Sequence, residues 1–229
     1  MRHRLCVFLA AVLAASACLA AELTATEKRW LKGAWPVIAF AKEAGLPLDI
    51  VVQPQPTPGA APLGLAFVDG RCKLVLSMRG NPVAQSALDH IDPALLDAAL
   101  ELMAAHELGH CQRYLGGAWY GLPAGFSAVT APEGLAPELR TVYAEMQAVR
   151  REEGFADLVG LAWTQRRHPH LYTTLYAWLC NERSKDRIPG SHHDTLAWLR
   201  LANDGAALAD VSIFSKPAEL WAVGLGASD

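Results

Sequence analysis

At 229 residues, 52% hydrophobic and 19% charged, the chain is long and apolar enough to bury a core, which excludes an intrinsically disordered tail. Its formal net charge of −3 excludes the basic footprint of a nucleic-acid binder and offers no electrostatic pull toward an anionic membrane.

The chain opens on Met1-Arg2-His3-Arg4, continues through an Ala/Leu-rich run from Leu5 to Ala21, and turns polar at Glu22-Leu23-Thr24. That is the layout of a secretory signal peptide, with Cys18-Leu19-Ala20 as a small-residue cleavage site. The expectation is an exported protein, periplasmic or secreted, with residues 1–20 removed and 21–229 forming one domain. A retained anchor is the lesser reading, because the apolar run is short for a bilayer span. Lipid attachment at Cys18 is a lesser one too, since Ala15-Ser16-Ala17-Cys18 resembles a lipobox only weakly. No later apolar segment is long enough to span a bilayer. Cys6 and Cys18 fall in the leader; Cys72, Cys111 and Cys180 remain, which allows one disulfide and one thiol with the pairing open.

Thr26 to Gly45 reads as an amphipathic helix with Trp30, Val37, Ile38 and Ala41 inward, kinked or split at Pro36. Leu48 to Val52 is a short strand, and Gln53 to Pro62 a proline-rich loop. Leu63 to Val68, then Asp69-Gly70, then Arg71 to Met78, predicts a hairpin, because an Asp-Gly pair between apolar runs suits a two-residue turn. Asp92 as N-cap and Pro93 at the first position start a long helix whose inward stripe is Leu95, Leu96, Ala99, Leu102, Met103, His106 and His110. Gly116 to Pro137 is a long Gly/Pro-rich loop carrying Trp119, Tyr120 and Phe126. Helices follow at Glu138–Arg167, Leu171–Arg183 and Ser191–Asn203, with one more turn or two in residues 204–229. The sum is an α+β fold, mainly helical, with a small antiparallel sheet packed against the histidine helix.

Within that helix stands His106-Glu107-Leu108-Gly109-His110. Histidines four apart share a helix face, so both imidazoles can grip one metal ion, while a glutamate after the first reaches a metal-bound water without ligating. This is the H-E-x-x-H pattern of zinc peptidases, which arises by accident in roughly one chain in seventy of this composition. Cys111 points about 100° from the metal face and reads as a packing residue or disulfide partner rather than a ligand.

A catalytic zinc takes three protein ligands and leaves one position open. A third histidine six residues on is excluded, because Arg113 and Gly116 occupy the glycine and histidine places of that pattern. The other common solution is a glutamate on a later helix with an aspartate one turn on, and Glu153-Gly154-Phe155-Ala156-Asp157 supplies both. A second copy, Glu182 to Asp186, sits in the charged run Asn181-Glu182-Arg183-Ser184-Lys185-Asp186-Arg187, which reads as solvated surface. Glu153 and Asp157 instead lead into an apolar stretch, where unpaired charge is costly. Glu153 is the favoured third ligand, Glu152 its nearest rival and Glu182 a poor third.

On these residues the chain resembles the gluzincin metallopeptidases, and most the small soluble members of the HtpX and CAAX-prenyl-protease-like group. The resemblance rests on His106-Glu107-Leu108-Gly109-His110 and Glu153-Gly154-Phe155-Ala156-Asp157, and covers about residues 90–200. It implies a zincin-like fold, one zinc ion on His106, His110 and Glu153, Glu107 as general base and proton shuttle, and Asp157 orienting a ligand histidine. It also implies a later residue that stabilises the oxyanion. Ser191-His192-His193-Asp194 is the candidate; a capping-box-like start would place His192 inward with Leu196 and Leu199, with His193 as the alternative.

The expected function is zinc-dependent endopeptidase activity on a peptide or protein substrate, held by strand addition on the Leu63–Met78 hairpin. The alternatives are a non-catalytic, metal-stabilised binding or assembly protein on a peptidase scaffold, and a zinc amidase acting on a cell-envelope substrate.

Overall fold

The computed structural model describes residues 22–54, 60–185 and 187–226. The expected leader, with Cys6 and Cys18, lies outside them. No helix among the described residues is long and apolar enough to cross a membrane.

Helix α1 (Ala25–Glu43) starts at a capping box: Glu27 N donates to Thr24 Oγ1 at 3.1 Å, and Thr24 N donates back to Glu27 Oε2 at 2.6 Å. Pro36 does not split it. The carbonyl that Pro36 leaves without a donor belongs to exposed Lys32, where water can satisfy it.

Strand β1 (Leu48–Pro54) is followed by β2 (Leu63–Val68) and β3 (Arg71–Arg79). Asp69 and Gly70 both take positive φ, 53° and 73°, as a type I′ hairpin turn demands. The sheet is not the antiparallel one expected. Its order is β1-β3-β2, with β2 antiparallel and β1 parallel to the central β3. Nothing local specifies that parallel pairing. It arises because β3 alternates Cys72, Leu74, Leu76 and Met78 into the core and so takes the middle place, buried between two neighbours.

Helix α2 (Pro82–Asp89), not anticipated, begins where Asn81 Oδ1 accepts Val83 N–H at 3.1 Å, with Pro82 at its first position. Helix α3 (Leu96–Leu115) starts later than expected. Asp92 Oδ1 accepts Ala94 N–H at 2.8 Å and so caps a turn through Leu95 that only then runs into the helix. Helix α3 lies at the centre of the fold, between α1 on one side and α4 (Pro137–Arg167) on the other. Its buried small residues Ala98, Ala99, Ala104, Ala105 and Gly109 allow neighbours on more than one side.

Helix α5 (Tyr172–Ser184) follows as expected. The predicted helix over Ser191–Asn203 does not form as such: residues 191–195 are a turn, and α6 spans only Leu196–Leu199 before a 3-10 turn at Arg200–Ala202. The cause is Asp194. Its buried carboxylate accepts Arg187 Nε at 2.6 Å and Gly190 N–H at 2.8 Å, so it cannot close a capping box. The C-terminal part also holds more than a turn or two, since α7 (Ser215–Gly224) buries Trp221 against Phe155 of α4.

The one disulfide found among the described residues joins Cys72 of β3 to Cys111 of α3, leaving Cys180 free. Both bridged cysteines are fully buried, and the 39-residue separation makes the link worth about 4 kcal/mol by loop-closure entropy.

Helices α3 and α4 meet most tightly at Gly109: a Cβ there would lie 2.9 Å from Ala156 Cα and 3.2 Å from Val159 Cβ. Because backbone must move to admit it, Gly109→Ala should lower stability by about 1–3 kcal/mol, read as the shift in the thermal unfolding midpoint. An unchanged midpoint would contradict this helix spacing.

Candidate metal centre

The Gly109–Ala156 crossing sets the geometry. It brings Glu153, one turn before Ala156 on α4, against both imidazoles of α3. His106 Nε2 and His110 Nε2 are 3.1 Å apart; His106 Nε2 lies 3.4 Å from Glu153 Oε2 and His110 Nε2 lies 3.4 Å from Glu153 Oε1. A tetrahedral ion with bonds of about 2.1 Å holds its ligand atoms about 3.4 Å from one another, so the spacing fits an ion among the three. His106, His110 and Glu153 form a group that could hold a metal ion.

Asp157 sits one turn beyond Glu153, with no solvent exposure. Its Oδ1 lies 2.9 Å from His106 Nδ1. A carboxylate only accepts, so Nδ1 carries a proton, and loss of the proton on Nε2 would leave a neutral ring with that lone pair free for a metal ion. Arg183 Nε and Nη2 donate to the same carboxylate at 2.8 and 2.5 Å, and Thr195 Oγ1 donates at 2.5 Å. Arg183 Nη2 is also 3.5 Å from Glu153 Oε2. The charged run around Arg183 is therefore not wholly solvated surface: Arg183 turns inward and is the main countercharge of the site. The missed signal was the pair of buried carboxylates, which demands a cation from some other element. Thr195 carried no signal, since the turn that delivers it depends on Asp194.

The rival ligands are engaged elsewhere. Glu152 is buried and takes Arg113 Nε and Nη2 at 2.8 Å each, together with Tyr120 N–H at 3.0 Å. Glu182 lines the cleft but pairs with Lys185 at 2.5 Å. The Asp186 of its motif lies outside the described residues.

The electrostatics favour a positive charge among the three ligands. Burial opposes the His106 imidazolium, but the hydrogen bonds and charges of Asp157 and Glu153 outweigh it and raise the pKa to about 10. Burial also opposes the Glu153 and Asp157 carboxylates. The two histidines hold Glu153 well below its ordinary range, and Arg183 with His106 does the same for Asp157. Burial pushes Glu107 upward, only partly offset by His106 and His110.

A cavity of about 770 Å³ opens over this group. Glu107 lines it and makes no hydrogen bond or ion pair with another described residue. Strand β2 borders the cavity at Leu63, Gly64 and Leu65, and among the described residues no strand pairs with its outer edge. Ser77 N–H donates to Pro62 O, which puts Gly64, Ala66 and Val68 in hydrogen-bonded register with β3. The N–H and C=O groups of Leu63, Leu65 and Phe67 therefore face away from β3.

Of the two candidate histidines, His193 lines the cavity, with Nε2 3.9 Å from Glu153 Oε2. The favoured His192 does not reach it. The turn that replaces the expected helix exposes His192, leaving its ring 4.1 Å from that of His193. His90 also lines the cavity.

Metal uptake must expel the proton that His106 holds in the metal-free protein. At pH 8, below the raised pKa, binding of one divalent ion should release about one proton, seen as a dependence of calorimetric binding enthalpy on buffer ionisation heat. Affinity should fall further as pH falls. Binding with no proton release would contradict the assignment of that charge.

No family model, curated protein or solved structure matches the chain.

Proposed function

We propose that the protein is an exported zinc-dependent endopeptidase with a zincin-like arrangement of its site. The observation that carries this reading is Glu107: a carboxylate that no described residue pairs with, in a cleft, beside three convergent candidate ligand atoms. A structural metal site closes its fourth position and needs no such group.

Two imidazoles and one carboxylate suit zinc, which when bound would supply Lewis acidity and lower the pKa of water there toward about 7. The chain's own groups supply the rest. Glu107, its proton affinity raised by burial, takes a proton at its carboxylate and delivers it to the leaving amine. Asp157 holds the His106 tautomer. The outward backbone groups of β2 bind an extended peptide as an added strand, giving hydrogen bonds that do not depend on its sequence. His193 at the rim donates to the carbonyl oxygen as it gains negative charge.

The cavity also reaches the apolar residues Ile91, Leu102, Met103, Trp178 and Leu179. They favour a bulky apolar side chain beside the scissile bond. The fully buried Cys72–Cys111 bond supports an oxidising compartment and with it the exported reading.

The test is a peptide-library digest with metal analysis. Wild-type protein should hold one zinc ion per chain and cut beside Leu, Phe or Met at least about tenfold faster than beside Ala. Glu107→Gln should keep the zinc and lose about 10²–10⁴-fold in rate. Equal cleavage by Glu107→Gln sinks the mechanism. Biological activity that survives Glu107→Gln would favour the binding or assembly alternative, and cleavage confined to non-peptide amides would favour the amidase.

A further inference from the structure

The two ligand histidines are held in different ways. His106 is fixed by Asp157 through Nδ1. His110 Nδ1 is buried and has no hydrogen-bond partner among the described residues. On the Nδ1 side, therefore, no polar group among the described residues fixes the second imidazole, whose Nε2 faces His106 and Glu153.

An aromatic side chain packs against the same ring. The indole of Trp119 meets the His110 ring nearly edge-on, with centroids 5.3 Å apart and planes at 70°. Trp119 is itself clamped: it stacks on Tyr114 at 3.9 Å, and Tyr114 stacks on Phe67 of β2 at 5.0 Å. The loop behind it is pinned on both sides. Glu152 accepts Tyr120 N–H at 3.0 Å, and Arg113 Nη2 donates to Gly121 O at 2.8 Å. Tyr120 has φ +62°, a left-handed conformation that costs a residue with a side chain about 1–3 kcal/mol and persists only where its surroundings impose it. The Arg113–Glu152 pair, with the guanidinium 4.2 Å over the Trp221 ring, supplies that constraint through Tyr120 N–H and Gly121 O.

We propose that Trp119 is the positioning residue for His110: packing against the indole does for that imidazole what a hydrogen bond to Asp157 does for His106. The Arg113–Glu152 pair acts one step further back, by fixing the backbone at Tyr120 and Gly121 that presents the indole. This rests on the reading of His106, His110 and Glu153 as a metal site.

The experiment measures metal binding rather than turnover. Cobalt affinity by chelator competition, the cobalt visible spectrum and the melting temperature of metal-free protein are compared for wild type, Trp119→Phe and Trp119→Ala. Trp119→Ala should weaken cobalt binding by about 10–100-fold, the range for loss of a group that orients a ligand, and alter the visible bands as the His110 bond lengthens or is lost. Trp119→Phe should restore the wild-type spectrum and bring affinity to within about threefold. If Trp119→Ala does not fold, Tyr114→Leu removes the ring behind the indole and should show the same spectral change with a smaller loss of affinity. Folded Trp119→Ala or Tyr114→Leu protein with wild-type affinity and spectrum overturns the proposal. So does a lowered metal-free melting temperature with an unchanged cobalt spectrum, which marks a purely structural role. Wild-type protein that takes up no metal removes the metal reading itself, a result distinct from either.

Discussion

Two carboxylates one turn apart on α4, Glu153 and Asp157, are largely or wholly buried, and the guanidinium of Arg183 is the fixed cation beside both. Each buried ion costs several kcal/mol of desolvation before any partner is counted. One guanidinium offsets one carboxylate, so the cluster carries a surplus of negative charge. Without a metal, a proton on His106 offsets it. The same place is bounded by two imidazole nitrogens and a carboxylate at the spacing an ion requires. Its electrostatics and its geometry thus call for the same occupant, and that coincidence separates the group from an ordinary buried ion pair.

The rest of the fold holds this cluster in register. Gly109 lets α3 and α4 approach until Glu153 reaches both histidines. One residue after His110, the Cys72–Cys111 bond ties α3 to β3, and the Phe67–Tyr114 stack ties it to β2. The β2 edge that no described strand pairs with and helix α3 therefore cannot slide independently. A peptide aligned on Leu63 and Leu65 would be aligned on Glu107 as well. On the far wall, Asp194 shapes the turn that sends Thr195 to Asp157 and His193 to the cavity.

What could be read from the sequence was whatever depends on helical spacing. His106, His110 and Glu107 lie within one turn or so of α3, and Glu153 with Asp157 within one turn of α4, so periodicity sufficed. The Asp-Gly hairpin was legible because its turn chemistry is local. Arg183 was not, because its neighbours in sequence are charged and solvated while its own partner lies on another helix. The helix over 191–203 failed for the same kind of reason: Asp194 looked like a capping residue but serves Arg187 and Gly190. The parallel β1–β3 pairing depends on which strand the core buries most, and the short α2 is signalled only by its Asn81-Pro82 start. Trp119 could be noted as a loop aromatic, but its contact with His110 depends on Glu152, a residue of another helix.

Glu152 and Glu153 show how little sequence distance means once a helix turns. Adjacent residues on α4 point about 100° apart. Glu153 goes to the imidazoles, while Glu152 goes to Arg113 and the Tyr120 amide. One turn of one helix thus supplies an atom of the candidate metal group and anchors the loop that packs on His110, a second member of it. Glu107 stands apart from both, since it is the acidic group at this site that no described residue pairs with. A fold that satisfies Glu152, Glu153 and Asp157 so completely leaves Glu107 bare at a cost in stability. Such a cost is sustained where the group's partner arrives from outside, as a reacting water or substrate does.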